Sequence, residues 1–173
     1  VKNGNIVQRA TIKPHEDFLG MVQTENIEGD YGWSLKSIKQ RLEILLAGML
    51  AEKVVLGDYK SGNSSDLRAA NGLLEALFNK FGMSETLKVA QQGFTTSDAL
   101  LSKIEDEKAK ILEEAYQNTE NWLTLNKKYL LSFAKLLLEQ RSLDADEMQE
   151  WFDEHINIEK ENILIFKDGL SAE

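Results

Sequence analysis

The stretch "SLKSIKQRLEILLAGMLAEKVVLG" (residues 34–57) decides the fold of this chain. Its apolar residues recur at helical spacing and form one stripe: Leu35, Ile38, Leu42, Leu45, Met49 and Leu50. Ser34 suits the N-cap position, because its hydroxyl can accept a hydrogen bond from the first turn. Gly57 suits the end, because glycine readily adopts the left-handed conformation that terminates many helices. The stretch therefore predicts a long amphipathic helix.

Helical spacing continues towards the C-terminus. A second helix is predicted from about Ser65 to Phe81, with Gly82 as its stop. Its inward residues are Leu67, Ala70, Leu74, Leu77, Phe78 and Phe81. Ser97 opens a long third tract, in which we expect a break at 118–121, where poor helix formers cluster. The apolar face of this tract contains Ile104, Ile111, Ala115, Trp122, Leu125 and Leu130.

The helical pattern resumes over 131–138, and a short last helix is predicted in "SLDADEMQEWF", capped by Ser142 or Asp144. Ahead of the helices, residues 5–13 and 18–25 are short extended runs separated by the polar turn "PHED". Such a pair is typical of a β-hairpin. The predicted fold class is mainly α, a helical bundle with a small N-terminal β-hairpin. We expect one domain over 1–173, with the hairpin region in 1–30, the bundle in 33–153 and a tail in 154–173.

Composition narrows the possible functions. The chain has 173 residues, 42% of them hydrophobic, which is enough for a buried core. It has no cysteine, which excludes disulfides, thiolate metal sites and cysteine nucleophiles. A formal net charge of -9 disfavours contact with phosphate backbones, so no nucleic-acid partner is expected. No apolar run approaches the roughly 20 residues that span a bilayer. The chain opens with Val1 rather than methionine, and we expect it to be a piece of a longer protein.

Two carboxylates are candidate site residues. Asp66 stands where the loop "SGNSS" meets the second helix, and Glu52 follows the small-residue patch in "AGMLAE" late in the first. Each has a simple structural interpretation: an acid in a first turn favours the helix dipole, and a late helical glutamate can be solvated. The residues alone leave both interpretations open. His15 and His155 lie far apart without ligand spacing, and we interpret them as a loop and a helix-end histidine.

Several fragments in series resemble the peptidase domain of FtsH-type AAA zinc metalloproteases. "RATIKP" and "LGMV" resemble its hairpin, and "RLEILLAGMLAEKVVLG" resembles a helix that ends in GGR-x-AEE and glycine. "SGNSSDLRAA" resembles STGA-x-x-DL-x-x-AT, and "FGMSE" resembles WGMSE. "IEDEKAKILEEAY" resembles ID-x-E-V-x-x-I-x-x-EAY, and "LLLEQRSLDADEMQEWF" resembles the closing LLE-x-E-x-LD-x-x-E-I. The match covers roughly 5–153, and its specificity comes from the order of the fragments.

The resemblance implies a zinc cofactor. In the family, two histidines of an HExxH helix and one distant aspartate hold the ion, and the aspartate matches Asp66. Glu52 matches the first acid of AEE and would support a zinc-binding histidine from behind. HExxH is absent from these residues. No catalytic residue is therefore expected in this segment, the motif is expected upstream, and the segment alone should be inactive.

The resemblance also implies partners. The substrate would be unfolded or membrane polypeptide, driven by an AAA ATPase, and the assembly would be a homo-oligomer, a hexamer in the family. Membrane association would come only through segments outside this sequence, with this domain on the cytoplasmic or equivalent side. From its place in front of the bundle, we predict that the second strand adds substrate at its edge through Leu19, Gly20, Met21 and Val22.

The sequence departs from the family pattern at the candidate site. "AEK" keeps only the first acid of AEE, "AGM" lacks the arginine of GGR, and "GNSSDL" replaces the alanine-containing loop. A second hypothesis therefore stays open: a catalytically degenerate homologue that serves as a structural or interaction module.

Overall fold

The computed structural model describes residues 6–14, 20–25, 32–58, 60–85 and 97–155. In chain order these form β1 (Ile6–Thr11), β2 (Met21–Glu25), α1 (Leu35–Leu56), a 3-10 turn (Ser61–Asn63), α2 (Ser64–Asn79), α3 (Asp98–Leu125), α4 (Lys127–Gln140), β3 (Ser142–Asp144) and α5 (Ala145–His155). The predicted mainly helical class with a small antiparallel strand pair near the N-terminus is confirmed. The predictions for His15, Leu19 and the tail beyond His155 fall outside the described residues.

The chain divides into two compact units. The sheet unit joins Val1–Gly29 to Asn126–Glu173, and the helical unit is the continuous segment Asp30–Leu125. The single domain over 1–173 stays a prediction.

Helix α1 begins and ends where its sequence predicts. The Ser34 hydroxyl accepts from the Ser37 amide at 3.0 Å, and the Ser37 hydroxyl accepts from the Ser34 amide at 2.8 Å, which closes a capping box. Gly57 adopts φ 81° and donates its amide to the Lys53 carbonyl at 2.9 Å. Contacts within a few residues therefore fix both ends of α1.

The core of the helical unit lies where α1 packs against both α2 and α3. Its buried apolar residues are Ile38, Leu42, Leu46, Met49, Leu50, Ala70, Leu74, Leu77, Phe78, Ile104, Ile111, Ala115 and Leu123. The predicted stripes are correct for most residues and wrong at several helix ends and at Leu45 in the middle of α1. Leu35 and Leu67 are 40% and 39% exposed, because they lie in first turns beyond the packed segment, and Leu46 rather than Leu45 is fully buried.

The predicted break at 118–121 is wrong, because α3 runs unbroken to Leu125. The side chains that weaken helices in isolation have partners in this fold. The Thr119 hydroxyl donates to the Ala115 carbonyl at 2.7 Å, and the Asn118 amide reaches Glu43 on α1 at 3.3 Å. Tertiary packing thus overrides a low propensity. Trp122 and Leu125, predicted to lie on the apolar face, are 36% and 65% exposed.

The sheet has the order β2-β1-β3, with both pairs antiparallel. Strand β3 was predicted as the start of the last helix and instead pairs with β1, placing Ala10 opposite Leu143. Asp144 then caps α5: its carboxylate accepts from the Glu147 amide at 3.0 Å, while the Glu147 carboxylate accepts from the Asp144 amide at 2.9 Å. The Asp144 alternative is therefore correct and the Ser142 alternative is wrong. The core beneath the sheet contains Ala10, Leu143 and Met148, with Val7, Phe133, Leu136 and Leu137 packed against it.

Candidate functional site

Both predicted carboxylates belong to the helical unit. Glu52 lies in the penultimate turn of α1, and Asp66 lies in the first turn of α2, separated from it by the 3-10 turn Ser61–Asn63. A short connection between two packed helices holds the end of one near the start of the next. The structure therefore carries both residues on the two sides of one helix-helix junction.

The Glu52 carboxylate is bound to that junction. Its Oε2 atom accepts from the Lys60 amide at 3.0 Å and from the Asn63 side-chain amide at 3.4 Å. The Asn63 amide also donates to the Lys60 carbonyl at 3.1 Å. Glu52 is therefore held by the loop that leads into α2, and it is half-buried rather than solvated. Glu52 was predicted from the sequence, but Asn63 was not. The only sign of Asn63 in the sequence is an amide in a loop where the resembled motif has alanine.

Asp66 is half-exposed, and no hydrogen bond or ion pair holds its carboxylate among the residues that the structure describes. A carboxylate on a rigid helix, with its oxygens uncommitted, is a suitable metal ligand. It is a single ligand, however: within the described ranges no three His, Cys, Asp or Glu side chains form a group that could hold a metal. The chemistry of Asp66 thus suits one zinc ligand, and the described residues do not by themselves form a complete site.

No described neighbour of the junction requires glycine at either of two positions. A Cβ on Gly62 would meet nothing within 4 Å. A Cβ on Gly48 would lie 3.6 Å from the Asn63 side-chain oxygen, which is an ordinary van der Waals contact. Gly48 and Glu52 are four residues apart and share one face of α1. The patch in "AGMLAE" therefore lies beside Asn63 but is not needed to accommodate it.

Lys53, which stands where the resembled motif has its second glutamate, is directed to α3. Its Nζ lies 2.7 Å from the Glu120 carboxylate and 2.6 Å from the Tyr116 hydroxyl. These hydrogen bonds, that of Glu120 first, raise the pKa of Lys53 above its ordinary value. The lysine thus joins α1 to α3 through partners of its own.

Glu107 joins two of the quoted motif fragments, and sequence reasoning gave it no role. Its carboxylate accepts from the Ser84 hydroxyl at 2.8 Å and from the Glu85 amide at 2.9 Å. Ser84 is only 6% exposed. Glu107 therefore fixes the segment after α2 against α3. Both fragments, "FGMSE" with Ser84 and "IEDEKAKILEEAY" with Glu107, were visible in the sequence, but no local pattern showed that they contact each other.

The predicted substrate strand lies at an edge of the sheet in the sheet unit. All five residues of β2 are exposed, including Met21 at 40% and Val22 at 62%. Gly20 precedes the strand, where an added Cβ would lie 3.0 Å from the Thr11 carbonyl oxygen. A side chain at this position would therefore be tight against β1, and glycine avoids that contact.

His155 lies at the end of α5, as predicted for a helix-end histidine. Its ring stacks on Trp151 at 4.7 Å between centroids, and its Nδ1 lies 3.0 Å from the Trp151 carbonyl oxygen. The residue is exposed, and within the described ranges it belongs to no group of side chains that could hold a metal ion. None of the helices among the described residues is both long and apolar enough to cross a bilayer.

A family model described as peptidase family M41 matches residues 1–151. Among curated relatives, the ATP-dependent zinc metalloprotease FtsH 4 of Sorangium cellulosum is 29% identical over 158 residues, covering 82% of this chain and 24% of the relative. FTSH 11, chloroplastic/mitochondrial, of Arabidopsis thaliana is 30% identical, covering 86% of this chain and 19% of the relative. FtsH 2 of Alkaliphilus metalliredigens is 32% identical, covering 91% and 25%. The chain therefore spans about a fifth to a quarter of the length of these relatives.

Proposed function

Because this chain belongs to peptidase family M41, we propose that it is part of a zinc-dependent endopeptidase domain in which Asp66 is the third metal ligand. The two remaining ligands and the general base would come from an HExxH segment outside these residues. The observation that carries the proposal is the half-exposed Asp66 carboxylate, which no described group engages, fixed in the first turn of α2 beside a junction held by Glu52. Zinc in such a site lowers the pKa of its bound water and polarises the scissile carbonyl.

Glu52 would act on this site indirectly. Its Oε2 atom is committed to the loop, and Oε1 accepts no hydrogen bond among the described groups. A carboxylate with one anchored oxygen can accept the ring N–H of a zinc-binding histidine through the other. That contact would fix the tautomer of the histidine and raise its basicity.

The substrate would be an extended, unfolded polypeptide that adds at β2, the outermost strand of the order β2-β1-β3. Edge addition satisfies main-chain groups and places little demand on sequence. The exposure of Met21 and Val22 and the position of β2 at the end of the order β2-β1-β3 support this assignment. Gly20 would keep the strand close to β1, and Leu19 belongs to the same proposed edge but lies outside the described residues.

The relatives are named ATP-dependent zinc metalloproteases, and we extend this to the whole protein as a proposal. The peptidase would receive substrate from an AAA ATPase, assemble as a homo-oligomer of six copies and associate with a membrane through other segments, with this domain on the cytoplasmic or equivalent side.

The test is Asp66→Asn in the full-length protein, with zinc content and peptide hydrolysis as measurements. Asp98→Asn is the matched control, because Asp98 is the acid in the first turn of α3 and serves its helix dipole in the same way. We expect Asp66→Asn to lose zinc and hydrolysis, and Asp98→Asn to keep both. Unchanged zinc content and hydrolysis after Asp66→Asn would refute the ligand assignment.

The competing function is that of a structural or interaction module in a homologue that has lost catalysis. The departures at the junction favour it, since Asn63 and Lys53 stand where the resembled motifs have alanine and glutamate. A full-length protein that binds no zinc in the wild-type form, yet folds, would support a structural or interaction module.

A further inference from the structure

Asn63 makes a contact that helix α2 itself does not require. It occupies the N-cap position of α2, yet its side chain makes no capping hydrogen bond. An asparagine that caps contributes about 1 kcal/mol to helix stability. Here the amide instead donates to the Glu52 carboxylate at 3.4 Å and to the Lys60 carbonyl at 3.1 Å. The side chain thus serves the junction with α1 in place of its own helix.

Asn63 is held from both sides of the junction. Glu52 of α1 and the Lys60 carbonyl of the loop both accept from its amide, and Gly48, one turn before Glu52 on the same face of α1, lies beside its side-chain oxygen. The Lys60 amide donates to the same Glu52 oxygen at 3.0 Å, so the loop holds the carboxylate at two points. The two donors, one from the main chain of the loop and one from the N-cap of α2, therefore meet at a single oxygen of α1.

Asp66 follows Asn63 by three residues within the first turn of α2. Three residues are less than one helical turn, so Asn63 and Asp66 lie on the same turn and a displacement of Asn63 carries Asp66 with it. Tying Asn63 to α1 therefore holds the turn that carries Asp66. The same contact orients the Glu52 carboxylate, so both acids of the junction depend on one amide.

We propose that Asn63 is a positioning residue: through its amide it locks Glu52 against the start of α2 and so sets the direction in which Asp66 is presented to a metal. The second half of this statement rests on the proposed zinc function, and the lock itself does not. The donor N–H is the essential feature, rather than the volume of the side chain.

The experiment uses two variants of Asn63 in the full-length protein. Asn63→Ala removes the amide, whereas Asn63→Asp keeps its size but replaces the donor with a second carboxylate beside Glu52. Asn79→Ala is the matched control, because Asn79 donates to the Glu75 carboxylate at 2.7 Å within α2 and joins no other element. Asp66→Asn is measured alongside.

The first measurement is hydrogen exchange at the Lys60 amide after zinc has been removed with a chelator. Loss of one supporting hydrogen bond should speed exchange by about fivefold in both Asn63 variants, and Asn79→Ala should leave it unchanged. Unaltered exchange in the Asn63 variants would overturn the lock.

The second measurement is the zinc dissociation constant, obtained by competition with a chelator. We expect both Asn63 variants to weaken zinc binding by at least about tenfold, as loss of an outer support does. If Asp66→Asn weakens zinc binding and the Asn63 variants do not, the positioning role is wrong and the zinc ligand stands. If Asn63→Asp binds zinc as the wild type does, the donor is not the essential feature. If none of these substitutions affects zinc, the Asp66 assignment fails and the positioning role fails with it.

Discussion

Replacing Glu107 with alanine should destabilise the helical unit, because this carboxylate holds the segment after α2 against α3. It accepts from the Ser84 hydroxyl at 2.8 Å and from the Glu85 amide at 2.9 Å. Hydrogen bonds to a charged group contribute about 1.5–3 kcal/mol each to stability. The bond from Ser84 counts almost in full, since Ser84 is 6% exposed, whereas Glu85 is exposed and its amide can exchange its partner for water.

These contributions place the loss for Glu107→Ala at about 2 kcal/mol. For a unit of this size, each kcal/mol lowers the melting temperature by about 4–8 °C, so a decrease of about 10 °C is expected. Glu107→Gln keeps an acceptor for one of the two donors, and we expect it to lose about half as much. Ser84→Ala should couple to Glu107→Ala, since the two substitutions remove the same hydrogen bond.

Thermal unfolding followed by circular dichroism measures these changes, and hydrogen exchange at the Glu85 amide reports the same contact locally. Asp106→Ala is the control, because Asp106 is the exposed neighbour of Glu107 on α3. It should leave stability within about 0.5 kcal/mol of the wild type. A loss of similar size in both variants, or none in Glu107→Ala, would show that the Ser84–Glu107 contact does not stabilise the unit.

Two further substitutions test the helical unit. Burial, and after it the nearby Glu114 charge, raises the pKa of Glu43 above its ordinary value of 4.5, although the hydrogen bond from Asn118 opposes this shift. The folded state therefore binds more protons than the unfolded state. As a result, stability falls as pH rises from 4.5 through the folded pKa. Glu43→Gln should remove this fall and raise the free energy of unfolding at pH 7 but not at pH 4, as urea titrations would show; an unchanged pH dependence would contradict it. Gly57→Ala should cost about 1 kcal/mol, because Gly57 has φ 81°. Gly72→Ala should instead stabilise the protein by up to about 1 kcal/mol, because Gly72 is exposed inside α2 and a Cβ there meets nothing within 4 Å. Melting temperatures that shift in the same direction for Gly57→Ala and Gly72→Ala would contradict this pair of predictions.

The parts of the fold that depend on neighbouring residues could be predicted from the sequence. Ser34 and Gly57 fix the ends of α1 through contacts within four residues, and the helical class follows from spacing alone. Strand β3 could not be predicted, because three residues carry no alternation and their partner on β1 lies more than 130 positions away. The continuity of α3 through 118–121 likewise depends on Glu43 of another helix.

The candidate site divides in the same way. Asp66 and Glu52 were found as residue types in recognisable fragments, and the structure places both at the junction of α1 with α2. Their surroundings were missed, because Asn63 reaches Glu52 only when α1 and α2 pack. Metal ligation by Asp66 and substrate addition at β2 stay predictions for the experiments above.

The order of the sheet has a consequence for synthesis on the ribosome. Strand β1 is central in the sheet, yet its second neighbour is among the last described residues of the chain, while the continuous segment Asp30–Leu125 emerges between them. A nascent chain therefore holds β1 with one side unsatisfied until Ser142–Asp144 have been translated. Long-range strand pairing of this kind is slow, and open strand edges recruit other chains. Any truncation before Ser142 would make that transient vulnerability permanent.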